Sequence, residues 1–312
     1  MVRESMGEIL FPAFDPVLLD LPGPLDIRWY GLMYVVAFFA GQLILARLCR
    51  RGFLPMTEAQ VGDLIFWLVL GVLLGGRTGY ALFYEQHLLH PLEFVQVWKG
   101  GLSFHGGLLG VMLTIVLFSR RFRVGGWRLS DALALAVTPG IFAVRIANFV
   151  NGELFGRVTD ASVPWAMRFP TDETAMRLLR TTHLDIRSRE LKTLEALRDG
   201  SWQQIKEQVP LRHPSQIYEA LGEGLLVGAC LWFLYRATRH SPLGRGVYGG
   251  LFLGAYGVVR FGLEFFRQPD KQFVTAENPL GTVLGPLSMG QVLCVAMVAI
   301  GVAIAWLRRG KS

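Results

Sequence analysis

The chain has few charged residues and few cysteines for its length. Only 18% of its 312 residues are charged, whereas 52% are hydrophobic and the mean hydropathy is +0.39. This balance excludes an ordinary soluble protein and is typical of a membrane protein. The cysteines, Cys49, Cys230 and Cys294, are too scattered to predict a disulfide framework or a metal cluster, so we interpret them as packing residues.

Two further features are missing. The first 28 residues contain five acidic side chains and no compact apolar core, so no cleavable signal peptide is predicted and the first apolar run is expected to direct insertion. The chain also contains no internal repeat, and duplicated halves are common in transporters.

Seven apolar runs are long enough to cross a bilayer, which takes about 20 helical residues at roughly 1.5 Å each. The runs are 29–48, 61–83, 102–118, 130–151, 215–235, 247–266 and 289–307. They predict an all-α polytopic membrane protein with about seven transmembrane helices, forming a single membrane-embedded domain over 1–312.

Arginine and lysine cluster in the connections after the first, third, fifth and seventh runs. These residues are Arg47, Arg50, Arg51, Arg120, Arg121, Arg123, Arg128, Arg236, Arg239, Arg245, Arg308, Arg309 and Lys311. The short opposite connections carry only Lys99 in one case and Arg267 with Lys271 in the other. The bias predicts an outside N-terminus and a cytoplasmic C-terminus. Because these anchors explain much of the net charge of +7, nucleic acid is not a predicted partner.

One long segment is not apolar enough for the membrane. Residues 157–213 are rich in charge and carry apolar residues near helical spacing. We predict a small helical extramembrane subdomain there, on the outer side and inserted between the fourth and fifth transmembrane helices.

Glycines recur at four-residue spacing in two of the runs. Gly71, Gly75 and Gly79 lie in the second run, and Gly106 and Gly110 lie in the third. Such spacing lets two helix backbones approach closely in a bilayer, so these glycines predict helix packing.

Several polar residues lie within or at the edges of the apolar runs, where an ionisable group is a candidate for function. They are Arg77, His105, Arg145, Asn148, Arg260 and Glu264. Helical spacing aligns two sets of residues, each along one face: Arg145, Asn148 and Gly152, and Tyr256, Arg260, Glu264 and Arg267. Under the predicted topology both faces run toward the outer leaflet, and His105 begins its run on that side. Paired guanidinium groups favour an anionic ligand such as a phospholipid phosphate.

Other functions fit the pattern less well. No G-x-S-x-G context with a suitably placed histidine indicates a serine protease, and no His/Cys/Asp cluster has the spacing of a metal-dependent phosphatase. A transporter or flippase that uses the arginines to hold a lipid headgroup, and a purely structural ion-pair cluster, remain alternatives.

Five motifs in order resemble the bacterial prolipoprotein diacylglyceryl transferase family. They are IRWYGLMY (27–34), LSFHGGLLG (102–110), RIANFVNGELFGRV (145–158), RHPSQIYE (212–219) and VRFGLEFFRQPD (259–270). The family usually has glycine where this chain has Val144, and the segment 171–211 is longer than is usual in the family.

The resemblance implies a multi-pass protein of the bacterial plasma (inner) membrane with its active site toward the outer face. Its implied reaction transfers the diacylglyceryl group of phosphatidylglycerol to the lipobox cysteine thiol of a lipoprotein precursor. A thioether forms, and glycerol phosphate is released. The implied partners are these two substrates and membrane lipids.

The resemblance also implies the site residues. The implied catalytic residues are His105, Arg145, Arg260 and Glu264. The implied substrate-binding residues are Tyr30, Arg145, Asn148, Asn151, Glu153, Gly156 and Tyr256.

The chemistry of the side chains suits this reaction. Arg145 and Arg260 can stabilise a phosphate leaving group, and a cation or base must favour the thiolate. His105 is the base that the chemistry suggests, but a packing or headgroup-binding histidine is an equal alternative. Glu264 is interpreted as orienting Arg260, and Gly156 as permitting a tight turn. Because attack is at carbon rather than phosphorus, we predict no metal and no cofactor.

Overall fold

A computed structural model describes residues 9–12, 14–21, 26–97, 100–241, 243–269 and 271–310. Its strands are β1 (Val17–Leu19), β2 (Ile27–Arg28), β3 (Thr282–Leu284) and β4 (Leu287–Ser288). Its helices are α1 (Trp29–Arg50), α2 (Glu58–Phe83), α3 (Pro91–Phe94), α4 (Phe104–Phe122), α5 (Gly126–Val150), α6 (Glu173–Leu178), α7 (Ile186–Asp199), α8 (Ser201–Ile205), α9 (Ser215–Thr238), α10 (Val247–Leu263) and α11 (Met289–Arg308).

Five of these helices, α1, α2, α5, α9 and α11, are long and apolar enough to cross a membrane. Two more predicted spans also form helices. Helix α10 is apolar but has 17 residues, and α4 has 19 residues with Arg120 and Arg121 in its last turn. A multi-pass helical fold is therefore confirmed, while the count of seven stays a prediction. Two antiparallel two-stranded sheets, β1–β2 and β3–β4, add to the predicted all-α architecture.

The chain divides into two compact units. The first unit comprises 1–37, 138–230 and 253–300, and the second comprises 38–137, 231–252 and 301–312. The dividing points fall inside α1, α5, α9, α10 and α11, so no linker separates the units along the sequence.

In the second unit, α2 and α4 pack on the predicted glycines. A methyl group built on Gly75 would lie 2.9 Å from the Cα atom of Gly110, and one on Gly79 would lie 2.8 Å from that of Gly106. Real side-chain carbons do not approach a backbone atom so closely. The prediction that these glycines bring two helix backbones together is confirmed.

A buried carboxylate fixes the start of α10 in the same unit. Asp131, on α5, is fully buried and accepts hydrogen bonds from the backbone N–H groups of Gly246 at 2.7 Å and Gly249 at 2.9 Å. The first N–H groups of a helix lack partners within the helix. Asp131 supplies two of them with an acceptor, and its negative charge is favourable at the positive end of the helix dipole.

In the first unit, the predicted helical segment at 157–213 contains α6, α7 and α8. Trp202 packs with Ala175 and Val209 in a small core of its own. Asp185 caps α7 by accepting from the Ser188 N–H at 3.1 Å, and its hydrogen bonds with Ser188 hold its pKa below the ordinary value. The helical character of the segment is confirmed, whereas its position outside the membrane stays a prediction.

Ion pairs join this segment to the residues before α1. Arg28 binds both carboxylate oxygens of Glu190, at 2.8 and 3.0 Å, and Arg187 binds Asp15 at 3.0 Å. Two parallel hydrogen bonds make the first pair geometrically specific. The start of α1 is therefore held by α7.

Candidate active site

Three arginines and three glutamates form one network in the first unit. Arg145 on α5 donates from Nη2 to Glu223 at 3.0 Å, and its Nη1 lies 2.7 Å from Glu219; both glutamates are on α9. The carboxylates of Glu219 and Glu223 are 1% and 0% exposed. A buried carboxylate is tolerated only when it is paired with a cation. The contacts with Arg145 therefore account for the presence of both glutamates in the interior.

Helix α10 and the turn after it complete the network. Arg260 lies 2.7 Å from Glu264 through Nη1 and 3.5 Å from Glu223 through Nε. Arg267 lies 3.1 Å from Glu219 and 3.6 Å from Glu264. Each glutamate thus contacts two arginines, and Glu223 is shared by Arg145 and Arg260. The sequence prediction that Glu264 contacts Arg260 is confirmed as a contact.

With every member ionised, the three guanidinium and three carboxylate groups carry no net formal charge. The arginines are held in place by carboxylates rather than by packing alone. Because the guanidinium group has five donors in a planar fork, each arginine can contact two carboxylates and still present a further N–H. An anion that enters therefore competes with the glutamates for donors that are already oriented.

Neighbouring hydroxyl groups support the carboxylates. Tyr256 donates to Glu223 Oε2 at 3.3 Å, and Ser288 Oγ donates to Glu264 Oε1 at 3.0 Å. A methyl group on Gly290 would lie 2.6 Å from the same Glu264 oxygen. The glycine lets the start of α11 approach the carboxylate closely.

A π-helical turn carries Glu223. The turn spans Ala220–Leu226 within α9, and such turns are frequent at functional sites. Beside it, α9 and α5 pack closely at glycines. Methyl groups on Gly224 and Gly228 would lie 2.7 Å from Phe142 Cβ and 3.0 Å from Thr138 Cβ. Close packing of these two helices brings Glu219 and Glu223 to Arg145.

The turn after α5 is held by side chains from outside it. The backbone carbonyls of residues 152, 153, 154 and 156 accept hydrogen bonds from side chains elsewhere in the unit. The respective donors are Thr171, Gln216, Ser215 and Arg212. Four fixed carbonyls within five residues leave this turn little freedom. Most of the donors belong to the RHPSQIYE motif.

Glu153 organises the amide side chains of the turn. Its Oε1 accepts from Asn148 Nδ2 at 3.0 Å and from Asn151 Nδ2 at 3.3 Å. Tyr30, at the start of α1, interacts with Asn148 and Glu153. Four of the predicted substrate-binding residues are thus brought together. Arg145 and Tyr256 lie in the neighbouring Arg–Glu network.

Glycine is needed at position 156 for a reason other than the expected tight turn. The left-handed backbone occurs at Gly152 (φ 64°) and Leu154 (φ 57°), whereas Gly156 is not among the residues with positive φ. A methyl group on Gly156 would lie 2.9 Å from both Cβ and the carbonyl oxygen of His213. Gly156 therefore permits close backbone packing. Partial burial also lowers the pKa of His213.

Two other predicted residues lie in the second unit. His105 is exposed in the first turn of α4, and its role as a base stays a prediction. Arg77 is 2% exposed and donates to the backbone carbonyls of Phe94 at 3.0 Å and Gly100 at 2.6 Å. These contacts support a structural role for Arg77 in connecting the backbone at residues 93–94 with that at residues 100–101.

Glu219, Glu223 and Gln216 were not predicted as site residues, whereas Arg267 was predicted to share a helix face with Arg260 and Glu264. Glu219 and Glu223 lie in the apolar run 215–235, where an ionisable residue is a functional candidate. That signal was available. Gln216 carries no charge, and only its place in the RHPSQIYE motif distinguishes it. Within the described residues, no group of three or more His, Cys, Asp or Glu side chains is arranged to hold a metal ion.

The long apolar helices and the buried Arg–Glu network define a multi-pass membrane protein with a charged site. The family profile described as prolipoprotein diacylglyceryl transferase matches residues 16–307. The chain therefore belongs to the prolipoprotein diacylglyceryl transferase family.

Individual relatives cover nearly the whole chain. Proteins named phosphatidylglycerol–prolipoprotein diacylglyceryl transferase from Neisseria meningitidis serogroup C and from Ralstonia pickettii are 40% and 42% identical to it. The alignments cover 97% and 95% of this chain, and 99% and 94% of those proteins. A protein of the same name from Cereibacter sphaeroides is 40% identical over 95% of the chain.

Proposed function

We propose that this protein is a phosphatidylglycerol–prolipoprotein diacylglyceryl transferase, which carries out the first step of bacterial lipoprotein maturation. It transfers the diacylglyceryl group to the lipobox cysteine of a lipoprotein precursor. Family membership and 40% identity over nearly the full chain support this function. The structural observation that carries the site assignment is the sharing of Glu223 by Arg145 and Arg260.

The bonds of the reaction define what the site must do. The cysteine sulfur forms a bond to the phosphate-bearing carbon of the diacylglycerol unit. The bond between that carbon and the phosphate oxygen breaks. The electron pair stays with the phosphate, whose formal charge goes from −1 in the diester to −2 in the ionised monoester. The thiol proton goes to a base, for which we propose His105. Groups that stabilise the second negative charge lower the barrier.

Arg145 and Arg260 are the proposed phosphate ligands. Because both contact Glu223, they converge on one point before any lipid binds. A phosphate that binds the remaining N–H groups of Arg145 and Arg260 beside Glu223 would leave this buried carboxylate paired. Glu219 and Glu264 would hold the far sides of the two arginines, which avoids leaving buried cations uncompensated. Catalysis then uses donors that are already oriented, so little reorganisation is needed in the transition state.

Asn148, Asn151, Glu153 and Tyr30 are the proposed headgroup-binding residues. The two amides and the Tyr30 hydroxyl supply neutral donors and acceptors, and Glu153 supplies a carboxylate acceptor. Tyr256 is proposed to orient the phosphate site, because its hydroxyl contacts Glu223. Gly156 acts through the backbone packing that fixes the turn. No cofactor is proposed, since the leaving group departs from carbon.

We expect the purified protein to modify a peptide that carries a lipobox cysteine when phosphatidylglycerol is present. Mass spectrometry of the peptide should show the added mass of one diacylglyceryl group. A serine in place of the peptide cysteine should abolish the product, and chelators should not. Unmodified cysteine peptide in the presence of folded protein would contradict the transferase function and favour a lipid transporter.

The proposed location is the bacterial plasma membrane, with an outside N-terminus and a cytoplasmic C-terminus. This topology follows from the distribution of arginine and lysine in the short connections. It puts the Arg–Glu network and the 157–213 segment on the outer side, where the precursor cysteine would arrive after export.

Cysteine labelling tests this topology. In a variant that lacks Cys49, Cys230 and Cys294, a cysteine replacing exposed His183 should react with an impermeant maleimide in intact spheroplasts. A cysteine replacing exposed Arg123 should react only after the membrane is opened. The reverse pattern would overturn the proposed orientation. Labelling of both positions in opened membranes is the control for accessibility.

A further inference from the structure

Two buried amide oxygens, both in side chains that contact Glu153, have no hydrogen-bond donor among the described residues. Gln216 is fully buried, and its Oε1 has no partner among the described residues. Asn151 is only partly buried, but its Oδ1 atom is buried and also has no partner among the described residues. Buried polar atoms are nearly always paired, and leaving one unpaired costs about 1–3 kcal/mol. Two such atoms, one in the turn after α5 and one on the helix that holds this turn, therefore require an explanation.

The orientation of both amide groups follows from their other contacts. Gln216 Nε2 donates to the backbone carbonyl of Glu153 at 2.7 Å, and Asn151 Nδ2 donates to the Glu153 carboxylate at 3.3 Å. A carbonyl or carboxylate oxygen can only accept, so the atom that faces it must be the NH₂ group. The unpaired atoms are therefore oxygens, and each needs a donor.

Both amide groups contact Glu153, which also accepts from Asn148, one helical turn from Arg145 on α5. Gln216 precedes Glu219 by three residues on α9, and Asn148 follows Arg145 by three residues on α5. Three residues advance a helix by about 4.5 Å. In phosphatidylglycerol, four covalent bonds separate the phosphorus from the oxygen of the nearer headgroup hydroxyl, and five separate it from the oxygen of the farther one. A headgroup whose phosphate is held by Arg145 is therefore long enough to reach the level of Asn148 and its partner Glu153.

We propose that Gln216 and Asn151 determine headgroup specificity by accepting hydrogen bonds from the two hydroxyl groups of the headgroup glycerol. This proposal rests on the proposed transferase function and goes beyond it by naming specificity residues. The match is in number and chemistry, since two hydroxyl donors meet two neutral amide acceptors. The glycerol leaves with the phosphate, so the same contacts also hold the leaving group.

Ser215, the neighbour of Gln216, holds the same turn but has no unpaired oxygen. Ser215 is 1% exposed and donates to the carbonyl of Leu154 at 3.0 Å, so it also helps to hold the turn. It leaves no buried acceptor unpaired. Ser215→Ala is therefore a matched control, because it removes a contact that holds the turn and leaves both free amide oxygens in place.

The test compares two lipids that have the same acyl chains. Phosphatidylpropanol has a three-carbon headgroup like phosphatidylglycerol but no hydroxyl groups. The readout is the ratio of kcat/KM for the two lipids with one lipobox peptide, using the full-length purified enzyme. For the wild type we expect phosphatidylglycerol to be preferred by about tenfold or more, because the analogue leaves buried acceptors unpaired.

Gln216→Met keeps the length of the side chain and removes its amide, so the preference should fall to within about threefold. Ser215→Ala should lower activity with both lipids and keep the preference. Asn151→Leu provides a second variant in a more exposed position and should also reduce the preference. Phosphatidylethanolamine tests whether the pocket instead takes an amine.

The outcomes separate the two proposals. A wild-type enzyme that uses both lipids equally, or variants that keep the full preference, would overturn the specificity role while leaving the transferase function intact. Use of phosphatidylethanolamine as readily as phosphatidylglycerol would also overturn it. A wild-type enzyme that is folded but inactive with phosphatidylglycerol would overturn the transferase proposal and this one with it.

Discussion

Replacing Arg145 with lysine is expected to lower turnover by about 10²-fold or more, in line with the roughly 2.7–4 kcal/mol that one stabilising donor contributes at a developing anion. Arg145 contacts two carboxylates through three nitrogen atoms. Lysine keeps the charge but offers one nitrogen, so it cannot hold Glu219, Glu223 and a phosphate in the same geometry. Arg145→Ala should lose more. Turnover is measured with phosphatidylglycerol and a lipobox peptide.

Arg267→Lys is the matched control for this prediction. Arg267 belongs to the same network and also contacts two glutamates, but it does not contact Glu223. Its replacement should weaken the network and cost less than about tenfold in turnover, since no phosphate donor is lost. All the variants must insert in membranes and elute as monodisperse protein. Near wild-type turnover of well-folded Arg145→Lys would refute the paired phosphate contact.

Replacing Gly106 with alanine is expected to destabilise the protein by about 3 kcal/mol or more, at the upper end of the effects of overpacking. The added methyl group would meet the Gly75 carbonyl and would lie 2.9 Å from the Cα atom of Gly79. Both neighbours are backbone atoms of α2, so neither can rotate away as a side chain would. The measurement is thermal unfolding of the detergent-solubilised protein, with the amount of protein in the membrane as a second readout.

Gly107→Ala is the neighbouring control. A methyl group there would lie 3.6 Å from the carbonyl oxygen of Val72, which is an ordinary van der Waals distance. Because alanine favours a helix over glycine by about 1 kcal/mol, this variant should be neutral or slightly stabilising. Equal melting temperatures for Gly106→Ala and the wild type would show that α2 and α4 can separate at no cost.

The positions of the long helices could be predicted because length and apolar composition are local properties. The run predicted at 29–48 forms α1 at Trp29–Arg50, and the run at 61–83 forms α2 at Glu58–Phe83. The earlier start of α2 comes from a capping box, in which Thr57 and Gln60 satisfy each other's backbone N–H groups. Glycine spacing likewise predicted a close helix pair.

The polar part of the site was harder to predict because its contacts join distant parts of the chain. Arg145 and Glu223 are 78 residues apart, so no helical spacing relates them. A sequence pattern could align Arg260 with Glu264 on one helix, but it could not show that Glu223 lies between Arg145 and Arg260. The two small sheets were missed because their strands have only two or three residues each.

The turn after α5 also has a consequence for how the protein is made. Most of the side chains that hold its carbonyl groups come from residues 212–216, which the ribosome adds about 60 residues after the turn itself. Newly synthesised α5 therefore enters the membrane with that turn still hydrated. Thr171 can supply one donor earlier, but the donors to the carbonyls of residues 153, 154 and 156 exist only once residues 212–216 have been added. A nascent chain interrupted before residue 212 would contain Arg145, Asn148 and Glu153 and yet have no assembled site.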